Sequence, residues 1–236
     1  MYVEVNGIRL FYEVRGKGPA LILVHGNGED HRIFDETALL LETDHTVYAL
    51  DSRDHGKSSP VKTLGYDAMA EDVVEFVKAL GLERPAFCGF SDGGIIGILA
   101  ASGHPDLFSK LVLCGANACP QGLKASWLIF FTLLEKMTHD TKILMMLKEP
   151  HISGKELERI SIPTLVLAGE RDMIRESHTR FLASKIKNSR LKILPGEGHG
   201  SYVIHSRKLY YIMKKFLEKP LLPENGDLSM PPAGGM

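Results

Sequence analysis

A single serine stands among glycines at the point where a predicted strand meets a predicted helix. The stretch Gly89-Phe90-Ser91-Asp92-Gly93 fits the pattern G-x-S-x-G, and it joins the apolar run Ala86–Phe90 to a helical pattern that begins near Asp92. In such a tight turn the serine hydroxyl points away from the sheet. The residues two before and two after it must be small, because the strand and the helix pass close together there. This arrangement predicts that Ser91 is a nucleophile.

A serine hydroxyl is a poor nucleophile without a base, and two later strand ends supply the missing groups. Asp172 follows the apolar run Thr164–Ala168, and His199 follows the run Leu191–Leu194. The carboxyl ends of parallel strands meet at one edge of a sheet, where open α/β folds bind ligands. We therefore predict a triad in which Ser91 attacks a carbonyl, His199 takes the proton and Asp172 holds the histidine.

Other residues near these loops are weaker candidates. Glu170 and Glu197 lie close to Asp172 and His199 in sequence, but the strand-end position favours Asp172 as the carboxylate partner. His205 falls within a predicted helix rather than in a strand-end loop.

A glycine-rich loop, His25-Gly26-Asn27-Gly28, follows the apolar run Ala20–Val24. We predict that the backbone N–H of Asn27 and that of Asp92, the residue after the nucleophile, form an oxyanion hole. His25 is expected to anchor its loop by hydrogen bonding rather than to transfer protons. The predicted chemistry needs no metal ion and no organic cofactor.

The elements that must position these residues alternate along the chain. Short unbroken apolar runs, typical of strands buried on both faces, are separated by longer helical patterns. This alternation predicts an α/β fold with a mostly parallel central sheet flanked by helices. Asn6-Gly7 between alternating runs predicts an opening hairpin that adds antiparallel strands at one edge. The predicted helices are Asp30–Leu41, Tyr66–Leu80, Asp92–Ser102, Glu176–Ile186 and Ser201–Leu217.

One long segment between two predicted core strands has no strand of its own. Residues 117–160 contain apolar helical stretches, which predicts a small helical cap inserted into a core of residues 1–116 and 161–218. Most aromatic and methionine side chains there should pack the cap onto the core, and Trp127 and Phe131 are the candidates to contact a substrate. Residues 219–236 combine Pro, Gly and polar residues without periodicity, and they predict an irregular tail.

Composition limits the kinds of partner that this chain is expected to have. The 236 residues are 44% hydrophobic and 24% charged, as in ordinary globular proteins. With 28 basic and 29 acidic residues, the net charge of −1 gives no electrostatic case for nucleic acid or an anionic membrane. The three cysteines match no metal motif and predict reduced thiols, and no signal peptide is visible. We expect a cytoplasmic protein with a small-molecule ester as its partner, and the oligomeric state stays open.

Taken together, the motifs HGNG, DSRDHGKS, GFSDGG, GERDMI and GEGHG resemble those of the α/β-hydrolase family in content and order. The resemblance covers about residues 1 to 217, and it implies that family's fold and serine chemistry. The segment DSRDHGKS is similar to the family's D-x-R-G-x-G-x-S loop, but Asp54 stands where glycine is usual. This departure bears on the local loop conformation and not on the triad.

The elbow GFSDGG also resembles that of valacyclovirase-like amino-acid ester hydrolases. In those enzymes the aspartate after the nucleophile holds the α-amino group of the substrate, and here that residue is Asp92. The alternative is that Asp92 only caps the following helix, where a carboxylate suits the positive end of the helix dipole.

These observations predict a serine hydrolase that cleaves small carboxylic esters or similar acyl compounds through an acyl-enzyme, with α-amino acid esters as one candidate class. An acyltransferase or a cofactor-free perhydrolase would use the same triad with a different acceptor. A non-catalytic ligand-binding protein on the same fold is the alternative of a different class.

Overall fold

An eight-stranded sheet forms the centre of the molecule. The computed structural model describes residues 1–218. The strands are β1 (Tyr2–Val5), β2 (Ile8–Arg15), β3 (Ala20–Val24), β4 (Thr46–Leu50), β5 (Ala86–Phe90), β6 (Lys110–Cys114), β7 (Thr164–Gly169) and β8 (Ser189–Leu194). Their spatial order is β1-β2-β4-β3-β5-β6-β7-β8, and all pairs are parallel except those that β2 makes with β1 and β4. The predicted mostly parallel sheet with an antiparallel hairpin at one edge is confirmed.

The described chain has helices on both faces of this sheet and in the segment between β6 and β7. They are α1 (Asp35–Leu41), α2 (Tyr66–Ala79), α3 (Asp92–Gly103), α4 (Ala125–Thr138), α5 (Thr141–Lys148), α6 (Gly154–Glu158), α7 (Glu176–Lys185) and α8 (Lys208–Leu217). Short 3₁₀ helices precede α1 at His31–Phe34 and α4 at Pro120–Gly122. Among residues 1–218, none of the helices has the length and apolar character needed to cross a membrane.

Both faces of the sheet are buried, which explains the unbroken apolar runs of its strands. In β3, Leu21 and Leu23 belong to a core cluster on one face, with side chains of α1 and α8. Ile22 and Val24 belong to a second cluster on the other face, with side chains of α2, α3 and α7. Because successive strand residues point to opposite faces, a strand between two helical layers must be apolar at every position.

The prediction of a helix from Ser201 to Leu217 is wrong in its first part. The backbone N–H groups of Val203 and Ile204 both bond to the carbonyl of Gly200, which forms a turn. His205 then takes a positive φ of 46° and donates its backbone N–H to Ile33. This left-handed residue interrupts the helical pattern, so α8 begins only at Lys208.

The segment predicted to form a cap carries helices α4, α5 and α6 between β6 and β7. Helix α4 packs on α5 and on the preceding 3₁₀ helix, and none of its side chains is buried. Helix α6 instead packs on α3 and α7, with Leu157 fully buried. The division into core and cap stays a prediction, and α6 is the part of it that lies against the core helices. The predicted irregular tail, residues 219–236, lies outside the described residues.

Asp54 gives the loop after β4 the backbone conformation that glycine favours. Its φ is 59°, in the left-handed region, where Asp is better tolerated than most residues with a side chain. Its carboxylate accepts hydrogen bonds of 2.6 Å from Lys142 Nζ on α5 and 3.3 Å from the backbone N–H of Val61. The residue that departs from the family pattern therefore keeps the loop conformation and also ties this loop to α5.

Replacing Asp54 should separate these two effects. Asp54→Gly and Asp54→Ala both remove the contacts to Lys142 and Val61. Only alanine has a Cβ atom, so only Asp54→Ala also loses stability through the left-handed backbone. We expect Asp54→Ala to be less stable than Asp54→Gly by about 1 kcal/mol in equilibrium urea unfolding. Equal stability of the two variants would show that the folded chain does not impose a positive φ at this position.

Candidate active site

Ser91 occupies a strained turn between β5 and α3. Its φ of 51° and ψ of −112° lie outside the regions that residues with side chains prefer, and its backbone N–H donates a 2.7 Å hydrogen bond to the carbonyl of Cys114. A Cβ atom at Gly89 would overlap the carbonyl of Gly93, and one at Gly93 would overlap the carbonyl of Val24. The glycines around the serine are therefore required by the close approach of strands and helix.

A continuous chain of hydrogen bonds joins Ser91 to His199 and Asp172. The distance from His199 Nε2 to Ser91 Oγ is 3.0 Å, and that from His199 Nδ1 to Asp172 Oδ1 is 2.6 Å. Since the carboxylate can only accept, Nδ1 carries the proton and Nε2 is free to accept from the serine hydroxyl. The structure thus brings together the three residues that were predicted from separate strand ends, at distances suited to proton transfer.

Asp172 is buried, and its surroundings favour the ionised form. Burial by itself would raise the pKa of Asp172, but the hydrogen bond and charge of His199 and the backbone N–H groups of Ile174 and Gly169 outweigh it. These N–H groups lie 2.9 Å and 3.3 Å from the carboxylate oxygens. The net effect lowers the pKa, so the carboxylate is charged at neutral pH and can orient the imidazole.

The two rival carboxylates are engaged elsewhere. Glu170 accepts a 2.8 Å hydrogen bond from the backbone N–H of Gly196. Glu197 pairs with Lys208 at 2.5 Å and accepts from the hydroxyl of Ser201 at 2.6 Å. Neither of them hydrogen-bonds the imidazole, so within the described chain the carboxylate that contacts His199 is that of Asp172.

Gly115, which sequence reasoning missed, makes room for the imidazole. It follows β6 directly with a φ of 62°, and a Cβ atom there would lie 2.8 Å from His199 Cε1 and 2.9 Å from Nδ1. The ring of Phe90 lies against the imidazole with centroids 5.0 Å apart. The available signal was a glycine directly after a buried strand, at the same sheet edge as Ser91 and Asp172.

His25 anchors the loop after β3 in its neutral form. Its Nδ1 donates a 2.7 Å hydrogen bond to the carbonyl of Gly26, and its Nε2 accepts from the backbone N–H of Ser52 at 3.0 Å. Burial, aided by the charge of nearby His55, lowers the pKa of His25 to about 4. A histidine that is neutral and has both nitrogens engaged is suited to holding a loop, and it has no free nitrogen for proton transfer.

The two residues predicted to form the oxyanion hole are tied to each other through their side chains. Asn27 Nδ2 donates to Asp92 Oδ2 at 2.9 Å and to the backbone carbonyl of Lys142 on α5 at 3.1 Å. Within residues 1–218 the backbone N–H groups of Asn27 and Asp92 make no hydrogen bond. Both donors are therefore free to bind a substrate oxygen, and their role as an oxyanion hole stays a prediction.

Asp92 is a buried carboxylate that lacks a cationic partner. Its side chain accepts hydrogen bonds from Tyr66 Oη at 2.8 Å and from Asn27, and among the described residues no lysine or arginine forms an ion pair with it. Burial holds the pKa of Asp92 above its usual range, although the two hydrogen bonds act in the opposite direction. Such a group gains most from a positive charge brought in by a ligand.

The two aromatic residues predicted to contact a substrate lie together on α4. The rings of Trp127 and Phe131 stack with centroids 5.7 Å apart, and both also contact the ring of Phe130. Trp127 is 39% exposed. Their side chains thus form a partly exposed aromatic cluster, and a role in substrate binding stays a prediction.

One group of side chains has the composition of a metal site. One ligand atom each of Asp30, His31 and Asp51 lie within 4.8 Å of one another. Asp30 is paired with Arg32, however, and Asp51 accepts from the backbone N–H and Nδ1 of His31 and from the backbone N–H of Lys57. These interactions occupy the carboxylate and imidazole atoms that would otherwise bind a metal ion. We therefore assign the group a structural role in holding two loops together.

Comparison with known proteins agrees with this geometry. A model of the alpha/beta hydrolase fold family matches residues 19–142, which is more than half of the chain. The chain belongs to the α/β-hydrolase family. The family resemblance and the fold class expected from the motifs are thereby confirmed for this α/β-hydrolase.

Curated relatives cover most of the molecule. This α/β-hydrolase is 26% identical to the serine hydrolase BPHL of Homo sapiens in an alignment, gaps included, of 249 residues that covers 92% of this chain and 85% of the relative. It is 26% identical to 3-oxoadipate enol-lactonase 2 of Acinetobacter baylyi in an alignment of 234 residues that covers 81% of this chain and 87% of the relative. These relatives and the family membership make this protein a hydrolase.

A solved structure shows the same fold. The enol-lactonase from Burkholderia xenovorans LB400 aligns with a TM-score of 0.78 and 22% sequence identity, over 93% of this chain and 100% of that one. A likeness at this level of identity concerns the fold of the α/β-hydrolase.

A methyl group at Gly115 should disturb the hydrogen-bond chain. We expect Gly115→Ala to lower kcat/KM for ester hydrolysis by about 100-fold, since an error of about 1 Å in the position of a reacting group costs that much. Gly81→Ala is the matched control: the φ of Gly81 is 60°, and no heavy atom lies within 4 Å of the added Cβ. Steady-state kinetics that are equal in the two variants would contradict the steric role of Gly115.

Proposed function

We propose that this α/β-hydrolase cleaves small carboxylic esters through an acyl-enzyme formed on Ser91. The observation that carries the proposal is the hydrogen-bond chain from Ser91 through His199 to the ionised Asp172. The named hydrolase relatives support an ester or lactone as the class of substrate. A cytoplasmic location and a small-molecule partner stay predictions from the sequence.

In the first half of the proposed reaction, Ser91 Oγ attacks the carbonyl carbon while His199 Nε2 takes its proton. The negative charge moves to the carbonyl oxygen, which the backbone N–H groups of Asn27 and Asp92 would bind. The carbon–oxygen bond to the leaving group then breaks, and His199 gives its proton to the departing alkoxide. The alcohol leaves, and the acyl group stays on Ser91.

In the second half, water takes the place of the alcohol. His199 removes a proton from the water, whose oxygen attacks the acyl carbon and forms a second tetrahedral intermediate. The bond to Ser91 Oγ breaks, the serine recovers its proton from His199, and a carboxylic acid is released. Asp172 keeps its charge throughout and supports the imidazolium in both halves.

Two alternatives share the first half of this reaction. An acyltransferase would pass the acyl group to an alcohol, amine or thiol, and a perhydrolase would pass it to peroxide. Product analysis with these acceptors in competition with water distinguishes the three reactions. A non-catalytic binding protein would form no product with any of them.

Loss of the Ser91 hydroxyl should abolish turnover. We expect Ser91→Ala to lower kcat for short p-nitrophenyl esters by at least about 10⁴-fold, because nucleophile and base act as a unit. Ser102→Ala, which removes a hydroxyl at the other end of α3, should keep wild-type activity. If the wild type itself showed only background hydrolysis, the binding-protein alternative would replace this proposal.

We further propose α-amino acid esters as the preferred substrates. The supporting observation is the buried carboxylate of Asp92, which has hydrogen-bond donors but no cationic partner among the described residues. A substrate ammonium group within hydrogen-bond reach of Asp92 would supply the missing positive charge next to Ser91.

A pair of matched esters tests this preference. We expect the wild type to hydrolyse an alanine ester with kcat/KM at least about 10-fold above that of the propionate ester, as a hydrogen bond to a charged group contributes about 1.5–3 kcal/mol. Asp92→Asn should remove the difference, because the amide can still bond Tyr66 and Asn27 but carries no charge. Equal kcat/KM for the two esters in the wild type would rule out this role of Asp92.

A further inference from the structure

A glutamate that the proposed reaction does not use lies beside the nucleophile. Glu29 follows the glycine-rich turn after β3, and its Oε2 accepts a 2.9 Å hydrogen bond from the backbone N–H of Gly26. A Cβ atom added at Gly26 would lie 2.8 Å from Glu29 Oε2 and 3.0 Å from Ser91 Cβ. The carboxylate and the nucleophile therefore border the same small gap next to Gly26.

Among the charged groups around Glu29, one can carry a positive charge. These groups are His199 in the loop after β8, Asp92 at the start of α3 and Asp30 in its own loop. Among residues 1–218 no lysine or arginine forms an ion pair with Glu29, and Asp30 is paired with Arg32. A positive charge on His199 therefore favours an ionised Glu29, as does the hydrogen bond from the Gly26 N–H.

Glu29 changes its charge in the range in which enzymes of this chemistry work. Burial raises the pKa of Glu29 to about 7, although the hydrogen bond from Gly26 and the charge of His199 act against this rise. An ordinary glutamate titrates near pH ~4.3. The carboxyl group is thus neutral in mildly acidic solution and becomes charged as the pH rises past neutrality.

We propose that Glu29 is a positioning residue for the acid–base step, whose ionised carboxylate stabilises the His199 imidazolium from the side of the glycine-rich loop. The proposal rests on the proposed serine-hydrolase function. When His199 takes the Ser91 proton, the imidazolium has the carboxylate of Asp172 at Nδ1 and gains a second negative charge nearby from Glu29. Glu29 exchanges no proton with the substrate and acts only through its field.

Glu29→Gln tests the proposal because glutamine keeps an oxygen that can accept from the Gly26 N–H and removes the charge. The measurement is kcat/KM for a neutral ester from about pH 5 to 9. In the wild type, loss of the Glu29 proton should add a rise of about 10-fold to the acid limb of the logarithmic profile, which makes the limb steeper there than a single ionisation allows. In Glu29→Gln we expect this additional rise to be absent and the plateau to be about 10-fold lower.

A further variant shows whether the effect belongs to Glu29. Glu170→Gln is the matched control, since its carboxylate also accepts a backbone N–H in a strand-end loop but does not contact the imidazole; its profile should equal that of the wild type. A wild-type profile in Glu29→Gln, or loss of the additional rise in Glu170→Gln, would overturn the proposal.

A titration that needs no turnover separates this proposal from the proposed function. The His199 imidazole resonance, assigned by its absence from His199→Asn, is followed by NMR as the pH changes. In the wild type the resonance should shift as Glu29 loses its proton, and Glu29→Asp should keep this shift because the charge remains. A wild-type resonance that does not respond to the ionisation of Glu29 would refute the coupling, even if the protein hydrolyses esters or if Glu29→Gln does not fold.

Discussion

The left-handed backbone at Ser91 is the constraint around which the rest of the site is arranged. A residue with a side chain adopts such a conformation only when its surroundings impose it, at a cost of about 1–3 kcal/mol. Here the hydrogen bond from the Ser91 N–H to Cys114 fixes the turn against β6. The residues that contact the turn are all small. A Cβ atom at Gly89 would overlap the carbonyl of Gly93, and one at Gly94 would lie 2.8 Å from the Cβ atom of Ala116. The turn is thus held by its neighbours in three strands and one helix.

Three carboxylates of the site differ because their hydrogen-bond donors differ. Asp172 receives the imidazole and two backbone N–H groups, and these outweigh its burial and keep it ionised. Asp92 receives a phenol and an amide, which do not outweigh its burial. Glu29 receives one backbone N–H, and its pKa is raised to about 7. The pKa values of these carboxyl groups are therefore shifted in different directions by burial and by the number and kind of hydrogen-bond donors around them.

Much of this arrangement could be predicted because parallel strands order their ends. The bounds of β3 and β5 equal the predicted apolar runs Ala20–Val24 and Ala86–Phe90. Ser91, Asp172 and His199 follow β5, β7 and β8, whose carboxyl ends lie at one edge of the sheet. Contacts between distant loops could not be predicted in this way. Gly115 and Glu29 were not predicted from the sequence, because both act on His199, which is close to them in space but far away in the chain. The misplaced start of α8 has the same kind of cause, since the left-handed His205 donates its backbone N–H to Ile33 in a loop that is distant in the chain.

The hydrogen-bond chain of the site also bears on how the protein is made. Ser91 and His199 are 108 residues apart, and β6, β7 and β8 must be aligned before their side chains can meet. A chain growing from the ribosome therefore carries its serine without the proposed base until residue 199 has been synthesised. An interrupted product that ends before β8 would contain Ser91 but lack the imidazole that is proposed to accept its proton. The order of the three residues along the chain thus means that Ser91 meets His199 only after β8 has been made.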